Sequence, residues 1–91
     1  MHAALIRLTI EPALAPAAAS AFTSEILPRV KAAPGFVAGY WVEPVDRQGF
    51  GFLLFETDDQ ARAATPPASQ WSAPGVTILE VDVRRVAVAV P

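Results

Sequence analysis

The chain has no cysteine, no asparagine and a single histidine among its 91 residues. Without cysteine there is no disulfide frame, the usual prop of a small secreted domain. A metal site is disfavoured as well, because the one histidine is His2, and typical sites need several His, Cys or clustered carboxylates. Positive charge is scarce: seven Lys and Arg stand against nine Asp and Glu, for a net charge of −2. That balance speaks against nucleic acid, which calls for a basic face. No apolar run approaches the roughly 20 residues of a bilayer crossing. The alternation from His2 to Ile10, with Arg7 inside it, is unlike a signal peptide. A soluble, cytoplasmic protein without membrane or nucleic-acid partners is the expectation. Catalytic signatures are missing too. There is no G-x-S-x-G elbow, Ser20, Ser24, Ser69 and Ser72 have no usable histidine, and Gly49-Phe50-Gly51 is a hairpin entry rather than a phosphate loop.

What is present is a single domain over residues 1–91, short enough to bury only about 60–65% of its unfolded surface. With no disulfide or metal in prospect, oligomerisation is the common remaining route to added stability. The first strand reads from Ala3 to Ile10: Ala4, Ile6, Leu8 and Ile10 share one face, Leu5, Arg7 and Thr9 the other. A helix pattern follows from Leu14 to Ala33, with Ala18, Phe22, Ile26 and Val30 in one apolar stripe. Pro28 lies within it and predicts a kink or break near Leu27. Phe36–Glu43 and Gly49–Glu56 read as two strands joined by a polar loop of hairpin length. Thr57-Asp58-Asp59-Gln60 has the spacing of a capping box and opens a short helix from Asp58 to Thr65, stopped by Pro66-Pro67. A loop with Trp71 leads to a β-rich tail, Val76–Val90.

The order βαββαβ predicts a ferredoxin-like α+β fold, a four-stranded antiparallel sheet with two helices on one face. The other face should then be wet and polar. It is not. Phe50, Phe52 and Leu54 point one way and Leu53 and Phe55 the other, while Phe36, Tyr40 and Val42 oppose Val37 and Trp41. Leaving three or four large side chains in water forgoes about 1.5–3 kcal/mol each, a large share of a total near 5–15 kcal/mol. Face-to-face pairing of two copies covers that surface, so a homodimer is expected. In the last strand Thr77, Leu79, Val81 and Val83 share one parity, and Val86, Val88 and Val90 take the other. A bulge at Arg84-Arg85 would explain the switch, and residues 86–90 would then pair along a partner's edge.

The stretch Ala33-Pro-Gly-Phe-Val-Ala-Gly-Tyr-Trp41, followed by Gly51-Phe-Leu-Leu-Phe-Glu-Thr-Asp-Asp-Gln-Ala-Arg-Ala-Ala64, resembles the dimeric α/β-barrel superfamily, in particular the antibiotic-biosynthesis-monooxygenase-like domains. The resemblance lies in element order and turn chemistry across most of the chain. It implies a dimeric α/β barrel and an activity among cofactor-free monooxygenases, haem degraders, lactone isomerases or non-catalytic relatives. The haem degraders resemble one another in an asparagine, tryptophan and histidine in the cleft. This chain has no asparagine and only His2, which argues against that branch. The resemblance thus implies a small cofactor-independent monooxygenase-like protein acting on an aromatic or quinol-type compound, or else a non-catalytic binding or structural dimer.

Four residues are candidates for ligand contact. Tyr40 and Trp41 are adjacent on a strand and so face opposite sides; each serves equally well in packing. Trp71 could lid a cleft or simply anchor its loop. Arg7 could anchor an acidic or phenolic ligand, or pair with Glu56, Glu80 or Asp82. Glu80 and Asp82 share a strand face, where such a pair more often discourages edge aggregation than splits acid/base work. No set of residues assigns a catalytic role, and no cofactor is called for.

Overall fold

A computed structural model describes residues 1–65 and 73–91. The period-two runs become β1 (His2–Ile10), β2 (Phe36–Val45), β3 (Gln48–Phe55) and β4 (Val76–Arg85). They form one antiparallel sheet in the order β2-β3-β1-β4. Helical segments α1 (Ala15–Ala21), α2 (Leu27–Lys31) and α3 (Asp58–Ala64) supply the other layer. This is the expected ferredoxin-like α+β fold. No helix among the described residues is long and apolar enough to cross a membrane.

The core lies between the two layers. Ala4, Ile6, Leu53 and Phe55 from the central strands meet Val30 and Ala61 from the helices. Phe55 and Leu53 are fully buried, worth about 1.5–3 kcal/mol each relative to exposure. Phe36 meets Phe55 edge to face at 5.8 Å.

Local chemistry fixes the connections. Val45 pairs directly with Gln48, so the hairpin loop is only Asp46-Arg47, and both have positive φ. That is the type I′ pattern, whose twist suits a two-residue hairpin. The strands therefore run further into the polar stretch than composition suggests. Helix α3 opens on a complete capping box: Gln60 N–H donates to Thr57 Oγ1, and Thr57 N–H donates to Gln60 Oε1, both at 3.2 Å.

The kink or break expected near Leu27 takes the form of a change of helix type, not an interruption. Between α1 and α2 the chain makes one wider, π-type turn over Phe22–Ile26, and Leu27 N–H donates five residues back to the Phe22 carbonyl. Pro28 follows this turn directly, and the irregular turn before it relieves the clash a proline ring makes inside a regular α-helix. The wider turn has a second effect. A four-residue spacing drifts about 40° per step on an ideal α-helix, and a π turn takes up part of that drift. Ala18 and Val30 are accordingly both buried, with Phe22 and Ile26 half-buried between them.

Three register shifts interrupt the ladders, one of them between Val42 and Val45 beside the hairpin; the other two re-aim side chains. Arg7 pairs with Glu80 but Leu8 with Ile78, leaving Leu79 as a bulge. The parity change in β4 thus lies here and not at Arg84-Arg85, and it brings Val81 and Val83 onto the helix side with Val76 and Ile78. In β2, Phe36 pairs with Phe55 and Ala38 with Leu54, so Val37 is the extra residue and Phe36 joins the helix side. His2 is part of β1, paired with Phe55 and Arg85, and its Nδ1 is buried without a partner. Strand β4 ends at Arg85; Val86 N–H donates to the Met1 carbonyl at 3.0 Å, and Val88 and Val90 are exposed.

Candidate functional site

Between the sheet and the long helical arm lies a cavity of about 360 Å³. Alternation in β1 aims Ile6, Leu8 and Ile10 into it, the helical stripe contributes Phe22 and Ile26 from above, and Trp41 enters from β2. None of the described residues that line it has an ionisable side chain. The indole N–H of Trp41 is the one side-chain polar group among them. Such a space holds an apolar body and can offer it a single side-chain hydrogen-bond donor.

Trp41 is half-buried, and Phe22 meets it edge to face with ring centroids 5.0 Å apart and planes at 70°. Tyr40, its neighbour, points from the opposite face and is 63% exposed. Arg7 also stands on that outer face. Its Nη2 lies 3.4 Å from Glu80 Oε2, and both side chains are about half exposed. Asp82, paired opposite Leu5, shares the outer face and accepts from Arg84 Nε at 2.6 Å. Trp71 lies outside the described residues.

Of the four candidates, then, the fold brings Trp41 to the cavity and places Tyr40 and Arg7 on the other side of the sheet. Glu80 and Asp82 are each engaged by an arginine rather than facing a shared proton. Among the described residues no three His, Cys, Asp or Glu cluster as a metal site would require. The lining from β1 and the helical arm was visible in the sequence only as core. Gly39 and Gly51 beside Trp41 carried the one overlooked signal, since glycine inside a strand often marks a close approach.

No protein-family model matches the sequence, and the curated proteins give no match either. Solved structures do match. A structure of the heme-degrader MhuD from Mycobacterium tuberculosis, with two hemes bound in its active site, superposes with a TM-score of 0.69 at 19% identity, covering 100% of both chains. A point mutant of MhuD with two manganese protoporphyrin IX bound per active site gives 0.70 at 16% identity, over 100% of this chain and 99% of that one. A point mutant of SnoaB, a cofactor-independent oxygenase from Streptomyces nogalater, gives 0.68 at 15% identity, over 99% and 96%.

Porphyrins are the bound groups in the two MhuD structures. The metal of a haem is held by an axial His, Cys, Met or Tyr. The described lining of this cavity has none of these. The only histidine is at the far end of β1 from Ile6–Ile10, and the only tyrosine projects from the outer face. The residues present do not fit that group. What the likeness establishes is the fold: the chain folds as MhuD and SnoaB do.

Proposed function

We propose that the cavity beneath the helical arm takes a small apolar or aromatic compound, and that the chain acts on it as a cofactor-independent, monooxygenase-like enzyme. The observation that carries this is the apolar cavity with Trp41 in its lining. A quinol-type substrate suits it because such a compound itself supplies the electrons that dioxygen needs, so the protein's task is to bind, orient and exclude water. That SnoaB, a cofactor-independent oxygenase, shares the fold supports the reading. Oxygen uptake with a panel of quinols and polyphenols tests it. Consumption that falls on Trp41→Ala and survives Tyr40→Phe and Arg7→Ala supports the assignment; no uptake across the panel contradicts it.

The lack of an ionisable side chain among the described lining residues favours a second reading, a non-catalytic carrier of the same compounds. Native mass spectrometry of freshly purified protein separates the two, since a carrier retains unaltered co-purified mass.

In either case two copies pair through the outer sheet face. Tyr40, Val42, Phe50 and Phe52 are 63%, 48%, 38% and 40% exposed there, and a contiguous apolar patch of this kind ordinarily marks an interface. Tyr40 and Arg7 belong in this proposal to the pair interface. Residues 86–90 extend beyond β4, which is an edge strand, and pair along the partner's edge.

A further inference from the structure

Gly39 and Gly51 stand inside β2 and β3 on the helix side, and neither has positive φ. Their backbone needs no glycine. A glycine in a strand forgoes packing and loses more chain entropy than other residues, so space must be the reason. A Cβ at Gly39 would stand 2.8 Å from Trp41 Cη2 and 3.0 Å from Cζ3, with the flexible end of Leu53 (Cδ2) next at 3.1 Å. One at Gly51, the residue paired with Trp41, would stand 3.2 Å from Cδ1 and 3.2 Å from Nε1. The glycines therefore lie beneath opposite ends of the indole, Gly39 under the benzo ring and Gly51 under the pyrrole ring. The ring is laid flat on the backbone of two strands, with Phe22 against it edge-on.

We propose that Gly39 and Gly51 are specificity-determining residues: by seating Trp41 flat they turn the part of its other face that Phe22 leaves open into a planar floor, which admits flat aromatic ligands in preference to globular ones. The inference rests on the reading of the cavity as a ligand site. Gly49 supplies an internal control. It is on the same side of β3, but the three atoms nearest a Cβ there belong to Leu8 (3.0 and 3.5 Å) and Pro44 (3.7 Å), and none to Trp41.

The test uses the full chain and two neutral probes: prodan, a flat naphthalene dye followed by its blue-shifted emission, and 1-adamantanol, a cage that competes with it. Gly39→Ala and Gly51→Ala should each weaken prodan by about tenfold while changing adamantanol by less than about threefold. In a Trp41→Leu background the same two substitutions should leave prodan affinity within about twofold, and Gly49→Ala should act alike in both backgrounds. Circular dichroism monitors folding. If Gly39→Ala or Gly51→Ala fails to fold, recovery of the fold with Trp41→Leu supports the cradle, and failure there as well contradicts it. Equal losses with and without Trp41, or no loss at all, overturn the inference while leaving the cavity reading intact. No uptake of either probe by the unaltered chain overturns both.

Discussion

The two faces of the sheet are made from alternate residues of the same four strands, yet they carry opposite chemistry. Toward the helices stand Ala4, Ile6, Leu53 and Phe55, with Trp41 on its glycines and an apolar cavity above. Away from them stand Tyr40, Phe50 and Phe52 beside the Arg7–Glu80 pair. Small residues on the covered face leave room for a ligand; large ones on the bare face leave surface in need of a cover. On the second face Arg7 and Glu80 neutralise each other and are half exposed in the single chain, whereas an unpaired charge on the first would lose its hydration with nothing to offset it.

That contrast is broken most severely from the inside. Phe55→Ala should cost about 3–5 kcal/mol, as a large cavity opens in the only core the described residues form; urea unfolding measures it. Phe52→Glu attacks the other face. It should split the pair into single chains in sedimentation while leaving prodan uptake in place, and an unchanged dimer would show that the outer face is not the interface. Deleting residues 86–91 should loosen the pair without dissolving it, seen as a higher dimer dissociation constant; an unchanged sedimentation profile sinks the role given to that tail. Thr57→Ala removes one side of the capping box and should cost about 1 kcal/mol. The smallest effect is expected of Arg7→Ala in the single-chain Phe52→Glu background. There the bridge to Glu80 is half exposed and such pairs contribute about 0–1 kcal/mol.

Much of this plan was legible before any coordinates. The element order, the capping box, the opposed directions of Tyr40 and Trp41, and the apolar surplus on both sheet faces all follow from local periodicity and turn chemistry. The errors have one physical source. Parity along a strand holds only until a residue is left unpaired, and pairing is a property of two strands. The bulge at Leu79 brings Val81 and Val83 to the helix side, and the bulge at Val37 does the same for Phe36. Neither is written in its own strand. Pro28 did mark an irregular stretch of helix, but its form, a widened turn just before the proline, could not be read from the residue alone. The site was the least legible part. A cavity is a shortage of atoms between elements, and the residues around it look like core. Trp41 was readable as a strand aromatic, but the glycines that seat it come into view only when β2 and β3 are placed side by side.

The central claim is that one face holds a small flat molecule and the other a second copy of the chain. Native mass spectrometry of the purified protein with added prodan reads both at once. The account predicts a species of twice the chain mass carrying one dye per chain, with dye occupancy reduced and the doubled mass kept on Trp41→Ala. A single-chain mass without dye, at concentrations where the protein is folded, would contradict it.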